Sequence, residues 1–302
     1  MVKIYDKFLA DSEKKAFDIE HRKTVNFNIS TYDHAVIRGK EIYRNLELAK
    51  KRASFLKSKV INNLEKYLNT FYVNFEKRGG KILWAEDAEV AVEKILNIVK
   101  KAEAKAIVKS KSMVTEEINI NETLEKNEIE SLETDLGEYI VQLADEKPYH
   151  IVTPAMHMSK EDVAGLFNEK FDIPVDSTPE EITSFVRKLL REKFRNADVG
   201  ITGSNFIIAD VGGVALTENE GNGMLSYSFP RIHIAVTGIE KIIPSMGDLD
   251  TFTAAQFKEA MNRIGVKARV FNEMLKDSTP DGNQDEGDEM STVFDDSIPV
   301  LS

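Results

Sequence analysis

Cysteine is absent from all 302 residues. That excludes disulfides, thiolate nucleophiles, Cys-ligated zinc and iron–sulfur ligation by side chains of this chain. Long apolar runs are missing as well: no stretch approaches the roughly 18 to 20 residues that span a bilayer. The opening MVKIYDKFLADSEKKAFDIEH has neither an apolar core nor a small-residue cleavage site, so no secretory signal is expected and the protein is expected in the cytoplasm. Positive charge is not in excess, since 40 Lys and Arg stand against 51 Asp and Glu for a net charge of -11. Broad binding to phosphate backbones, which needs clustered cations, is therefore not expected.

Two glycine fingerprints are also missing. Neither GITGSN nor GGKIL has the Gly-Lys-Ser/Thr order of a Walker A loop, and no GxGxxG with a downstream acid occurs, which argues against nucleotide hydrolysis and dinucleotide binding. The five histidines show no HExxH or other metal spacing. His157 is the one whose loop position suggests chemistry, and the others read as structural or surface residues. DGNQDEG lacks the glycine and terminal glutamate positions of a calcium loop.

What remains is an ordinary globular composition, 42% apolar and 30% charged, on a chain long enough for a substantial core. Residues 12 to about 78 read as helical: Leu56, Val60, Leu64, Tyr67, Leu68, Phe71 and Phe75 recur at helical spacing. Gly79 and Gly80 stop the run. Its basic patch KKRASFLKSK reads as a solvated face or as a contact for an anionic partner.

From Lys81 the rhythm becomes one of short strands alternating with amphipathic helices. Strands are expected at KILWA, KAIVKS, NEIESLETD, HIVTP, VGIT, GGVALTE and IHIAVTGIEKII, and helices at EDAEVAVEKILNIVKKAEA, TEEININETLEKN, GEYIVQLA, SKEDVAGLFNEKF and TPEEITSFVRKLLREKF. SNFIIA is expected as a brief helix. Thr115 is expected to cap TEEININETLEKN, and Thr178 with Pro179 to open the last helix. Such alternation implies α/β architecture, an open and mainly parallel sheet covered by helices on both faces, with an N-terminal helical extension. The organisation expected is an extension over 1–78, an α/β domain over 79–250, and a segment over 251–302 that is partly helical and then acidic. Between Asp277 and Ser302 there are eight Asp or Glu and no Lys or Arg, too polar to fold alone.

In open α/β sheets ligands bind beyond the carboxyl ends of the strands. Polar clusters fall at several such ends: Lys109 to Ser112 after KAIV, Asp135 and Glu138 after LET, Thr202 to Asn205 after VGI, and Glu218 with Asn222 after VAL. Gly212 and Gly213 let the backbone after Asp210 take positive φ and approach either another chain segment or a ligand. Asp210 could orient that turn or act as a base. Glu116 and Glu117 suit the start of a helix.

The stretches KSKSMVTEEININ, ETDLGEYIVQLA, HIVTPAMHMSKEDVAGLF, VGITGSNFIIADVGGVALTENEGNG and PRIHIAVTGIEKIIPSMGDL resemble, in order and spacing, the lactate-utilisation (LUD) domain family over about Lys7 to Asp250. They are closest to its iron–sulfur branch, whose members work with companion subunits in bacterial oxidation of L-lactate to pyruvate. The resemblance implies a fold like that of the NagB, ribose-phosphate isomerase and CoA-transferase superfamily. It carries over no catalytic assignment; by location at the strand ends the catalytic candidates are Glu116, Glu117, Asp210 and Glu218, and the substrate-binding candidates are Lys109, Ser112, Asp135, Glu138, Thr202, Gly212, Gly213 and Asn222. It also implies a small carboxylate ligand and partner lactate-utilisation subunits. Members of this branch continue into a segment with two CxxCxxCxxxCP runs that ligate 4Fe–4S clusters. The sequence after Asp250 departs from that pattern, so no metal or cluster is expected on this chain, which then resembles a truncated or rearranged relative. A CoA-ester or sugar-phosphate enzyme and a non-catalytic interaction module stay open as alternatives.

Overall fold

Four helices occupy residues 2–77, where one nearly continuous helical run was expected from residue 12: α1 (Val2–Ala16), α2 (Ile19–Lys40), α3 (Leu46–Ile61) and α4 (Leu64–Lys77). They belong to a computed structural model that describes residues 2–252 apart from 42, 43, 147, 150–153, 219 and 250. Short breaks separate them where Asp18, Asn45, Asn62 and Asn63 compete for helix ends. The Asn45 side chain accepts from the Leu48 amide at 2.9 Å and starts α3. Gly79, at φ +85°, ends α4 in the left-handed region, as its position suggests.

The chain then runs α5 (Ala88–Lys101), β1 (Ala106–Lys109), α6 (Met113–Glu117), α7 (Ile120–Lys126), β2 (Glu130–Glu133), α8 (Leu136–Leu143), α9 (Lys160–Phe171), α10 (Pro179–Asn196), β3 (Val199–Thr202), β4 (Phe206–Ile208), β5 (Gly213–Ala215), α11 (Asn222–Ser228), β6 (Ile232–Ala235) and β7 (Ile242–Ile243). Thr178 opens α10 as expected, exchanging bonds with Glu181.

Several expectations need correction. KILWA forms no strand; Ile82 instead packs into the core beneath α4, and the Trp84 carbonyl accepts from Lys94 Nζ. SNFIIA contributes a strand, β4, rather than a helix. TEEININETLEKN is two helices, broken at Asn119 with φ 51°, and Ser112, not Thr115, caps the first of them. IHIAVTGIEKII is split into β6 and β7 by a turn of 3-10 helix at Ile239–Lys241. HIVTP lies mostly outside the described residues.

The chain divides into two compact units, one of Met1–Arg38 and Glu133–Lys193, the other of Gly39–Leu132 with the chain from Phe194 onward. In the first, Phe167 is fully buried on α9, where the Phe171 and Phe185 rings lie 5.7 and 6.4 Å from it. Rings at these separations add roughly 0.5–1.5 kcal/mol per pair to the burial itself.

The second unit holds both sheets. A four-stranded sheet has the order β2-β1-β3-β6. Its strands β1, β3 and β6 are parallel, with Lys109 beside Ile201 and Thr202 beside Ala235. Ile107, Val199 and Ile201 face α5 and α7 and pack on Val99, Ile120 and Leu124. Each such side chain, at most 1% exposed, contributes about 1.5–3 kcal/mol by leaving water. α11 covers the opposite face. A β carbon at Gly200 would sit 1.7 Å from the Ser226 carbonyl oxygen, so only glycine lets this helix lie on β3. The α/β class, the parallel sheet and helices on both of its faces are thus as expected. A separate three-stranded sheet, β5-β4-β7, was not anticipated; β4 runs antiparallel to β5 and parallel to β7. Among the described residues no helix is long and apolar enough to cross a membrane.

Candidate functional site

Side chains alternate across a strand, so each strand of the four-stranded sheet sends successive residues to opposite faces at its carboxyl end. Two more backbone bonds extend the pairing there: the Ser110 amide donates to the Ile201 carbonyl at 3.0 Å and the Val236 amide to the Thr202 carbonyl at 2.8 Å. The loops after β1, β3 and β6 therefore start from one fixed rim.

On the face shared with α5 and α7, Lys109 continues the line of Ile107 and is fully buried. Its ammonium donates to Thr115 Oγ1 and to Glu116 Oε1, each at 3.0 Å. A buried ammonium needs such partners, because desolvation without them costs several kcal/mol. Thr115 is held in turn by donating to the Ser112 carbonyl at 2.8 Å. A β carbon on Gly203 would fall 2.5 Å from Ser112 Oγ. The absence of a side chain at Gly203 thus allows the loops after β1 and β3 to touch.

On the α11 face the groups are hydroxyls and an imidazole. Thr202 is fully buried, and its Oγ1 lies 2.8 Å from His233 Nε2. His233 is exposed on one side, while its ring leans on Tyr227 at 5.7 Å. Desolvation pushes its pKa down from 6.5 to about 4, so the ring is neutral at pH 7. Ser110 occupies the rim position beside Thr202 on this same face. It is 5% exposed, and its Oγ is a buried atom with no hydrogen-bond partner among the described residues. Glu218 Oε2 accepts from the Met224 amide at 3.0 Å, which fixes the entry of α11. Asn222 is the first residue of that helix, and its carbonyl accepts from Ser226 Oγ at 2.8 Å.

The remaining candidates lie elsewhere. Asp210, Gly212 and Gly213 form the turn between β4 and β5, in the three-stranded sheet. Asp210 Oδ1 accepts from the Met246 amide at 3.0 Å. Asn74 Nδ2 donates to the carbonyls of Ala209 and Asp210 at 3.0 and 2.9 Å, and Arg78 Nε donates to the Val211 carbonyl at 2.7 Å. Gly212 has φ +59°, and a β carbon there would come within 2.4 Å of the α4 backbone at Asn74 and Phe75. Of the two uses open to this corner in the sequence, approach of another chain segment is the one occupied. Glu117 is exposed at the end of α6. Asp135 and Glu138 belong to the first unit, where Asp135 caps α8 by accepting from the Glu138 amide at 3.1 Å.

The first unit also contains His157, whose Nε2 lies 2.5 Å from Glu146 Oε2. The Tyr149 hydroxyl lies 2.9 Å from His21 Nε2. Burial, followed by the charge of Lys15, lowers the His21 pKa. Among the described residues no group of three or more His, Asp or Glu side chains is arranged to hold a metal ion.

Sequence reasoning passed over His233, and it placed Ser110 in the rim cluster KSKS without singling it out. The signal for His233 was its place in the alternating strand IHIA, two residues before the rim. The signal for Ser110 was only its position after a buried strand, which does not say whether a hydroxyl is satisfied.

Comparison with known proteins follows the same outline. The LUD domain matches residues 68–279. "Lactate utilization protein B" of Bacillus subtilis (strain 168) is 46% identical over 209 residues, 69% of this chain and 44% of the relative. The protein of that name from Oceanobacillus iheyensis is 42% identical over 219 residues, 72% of this chain and 46% of the relative. That from Shouchella clausii is 41% identical over 243 residues, 80% and 50% respectively. The chain therefore spans about half the length of the curated relatives it matches. No solved structure matches it.

Proposed function

This chain belongs to the LUD-domain family, and from that premise we propose that it is a component of a bacterial system that oxidises L-lactate to pyruvate. It contributes a pocket for a small hydroxycarboxylate at the carboxyl rim of β1 and β3, and its partners are the companion lactate-utilisation subunits. The observation that carries the reading is the buried Ser110 hydroxyl, which has no hydrogen-bond partner among the described residues, beside Thr202. An unsatisfied buried hydroxyl costs about 1–3 kcal/mol, and a ligand oxygen would offset that cost.

The chemistry of lactate fits these groups. Ser110 donates to a carboxylate oxygen. Thr202 shares its proton with the neutral His233 imidazole and offers an oxygen to the α-hydroxyl. Lys109 lies on the other face of the sheet with its ammonium paired to Glu116, so it holds the loop after β1 and is not a ligand group in this proposal. The 4Fe–4S clusters of the branch need thiolate ligands. The chain has no cysteine, so its residues do not fit those clusters and no step is routed through them here.

Covalent chemistry by a glutamate, as in CoA-ester relatives of the fold, is the weaker reading. Glu116 is engaged by Lys109 and Glu218 by the Met224 amide, so both read as positioning groups. Asp135, Glu138, Asp210, Gly212 and Gly213 have structural parts in this proposal.

Thermal unfolding with added ligand tests it. L-Lactate is expected to raise the melting temperature, since saturation to about 100 Kd stabilises a fold by about 2.7 kcal/mol. Sodium chloride at the same ionic strength is expected to leave it unchanged, and Thr202→Val to abolish the lactate effect. Equal melting temperatures in lactate and chloride would remove the pocket from the reading.

A further inference from the structure

Helix α3 has two unlike faces. Leu56 and Val60 are buried, while Leu48 and Phe55, about a quarter-turn round the helix, are 64% and 67% exposed. Lys51, Arg52 and Lys59 are exposed at three- and four-residue spacings around Phe55, which places all five on one side of the helix. The one acid on α3, Glu47, is paired with Lys50 at 2.8 Å. Among the described residues Lys51, Arg52 and Lys59 meet no carboxylate at ion-pair distance. A surface with two large apolar groups, three cations and no free acid suits an acidic segment that carries apolar side chains of its own.

The chain contains such a segment. Asp277–Ser302 has eight acids, no Lys or Arg, and the apolar residues Val293, Phe294, Ile298, Val300 and Leu301. Its route begins beside α3. The Phe252 ring lies 5.6 Å from Nζ of Lys57, on α3, and 5.3 Å from the Phe206 ring. Lys57 is itself tied down, donating to the carbonyls of Glu240 and Ile242 at 2.7 and 3.3 Å. The 24 residues between Phe252 and Asp277 would reach about 27 Å as a coil or about 36 Å as a helix. Either exceeds the roughly 24 Å length of α3. A tether of that length holds the two at millimolar effective concentration, so even a weak contact is populated.

We propose that Asp277–Ser302 docks on the basic and apolar face of α3 in the same chain. The acids pair with Lys51, Arg52 and Lys59, and the apolar residues cover Leu48 and Phe55. α3 and all but the first three residues of the segment lie outside the residues that match the LUD domain. The contact is therefore tested independently of the lactate reading.

The lack of native cysteine makes the test direct. Ser58→Cys on α3 and Ser291→Cys in the segment, introduced into the full chain and labelled with a fluorescent donor and acceptor, report their separation. Transfer efficiency is expected to be at least about twofold higher in low salt than near 0.5 M salt, where the screening length falls to a few ångströms. Lys51→Glu with Arg52→Glu and Lys59→Glu should reduce low-salt transfer to the high-salt value. Asp295→Lys with Asp296→Lys should do the same without touching α3, which guards against misfolding of the helix variant. Transfer indifferent to salt and to both sets of reversals would overturn the proposal. So would transfer between separately labelled chains after mixing, which would assign the face to a second copy.

Discussion

Two places in this molecule combine glycine with polar side chains, and they use the combination differently. At the rim of the four-stranded sheet, Gly200 and Gly203 make room for α11 and for Ser112, and the polar groups beside them are buried hydroxyls, an ammonium and an imidazole. At the β4–β5 corner, Gly212 makes room for the α4 backbone, and the polar groups beside it are consumed in holding that helix. A glycine next to an aspartate therefore says that something approaches closely. Whether the visitor is a ligand or the chain itself is decided by which polar atoms remain unsatisfied.

The largest expected effect comes from filling those spaces. Gly200→Ala puts a methyl group 1.7 Å from a backbone carbonyl, with no flexible side chain to yield. A loss of about 4 kcal/mol or outright failure to fold is expected in urea denaturation. Gly212→Ala combines the 2.4 Å clash with a positive φ and should cost about 3 kcal/mol. Gly213→Ala meets only a Val211 methyl at 3.3 Å and should cost less than about 1 kcal/mol. Equal losses at 212 and 213 would break the account of the corner as a helix seat.

Asn74→Ala sharpens the same point with a smaller change. It removes the amide that serves the Ala209 and Asp210 carbonyls. A loss of about 1–2 kcal/mol follows from leaving two partly buried acceptors to water. Lactate protection at the rim should survive unchanged, because nothing at the corner touches the ligand in the proposed pocket.

The difference between the two regions was only partly legible in the sequence. Amphipathic periodicity located nearly every helix, and alternation of short apolar runs with helices located β1, β2 and β3. SNFIIA was misread because three apolar residues carry no usable period, and its strand character comes from Asn205 and Phe206 to Ile208 pairing with β5. KILWA has strand-forming residues but no neighbour to pair with, and Ile82 is used for packing instead. The rim candidates Lys109, Ser112 and Thr202 stood out because polar residues after buried strands are conspicuous. His233 did not, because a lone histidine on a strand is uninformative until the register puts it beside Thr202. The corner left both uses open in the sequence, because the α4 backbone that fills it is more than a hundred residues away in the chain.

His233 allows a pH test of the rim. Its pKa is about 4 when folded and 6.5 otherwise, so between those values the unfolded chain binds more protons than the folded one. Stability from this group is complete above pH 6.5 and is lost progressively as pH falls toward 4. Melting temperature should decline over that window, and His233→Gln should flatten the decline. Asp162 and Asp198, whose pKa values are lowered by hydrogen bonds from Ser159 and from the Lys105 and Ala106 amides, act only at lower pH. A decline that is the same in the variant would detach the imidazole from the fold's acid response.

The smallest expected change is the most telling. Ser110→Ala deletes a buried oxygen that has no hydrogen-bond partner among the described residues, so no bond among them is broken by its removal. Stability should stay within about 0.5 kcal/mol of the parent or rise slightly, because an unsatisfied polar atom is replaced by an apolar one. Thr202→Val deletes an oxygen that is paired with His233 and should cost about 1 kcal/mol or more. If both serve a ligand, both variants lose protection by L-lactate despite their opposite effects on the empty fold. A residue kept for structure should show the two losses together; Ser110 should show the loss of protection alone. Were Ser110→Ala to destabilise the chain as much as Thr202→Val, its hydroxyl would belong to the packing, like the glycines of the corner, and the rim would have no atom held in reserve for a ligand.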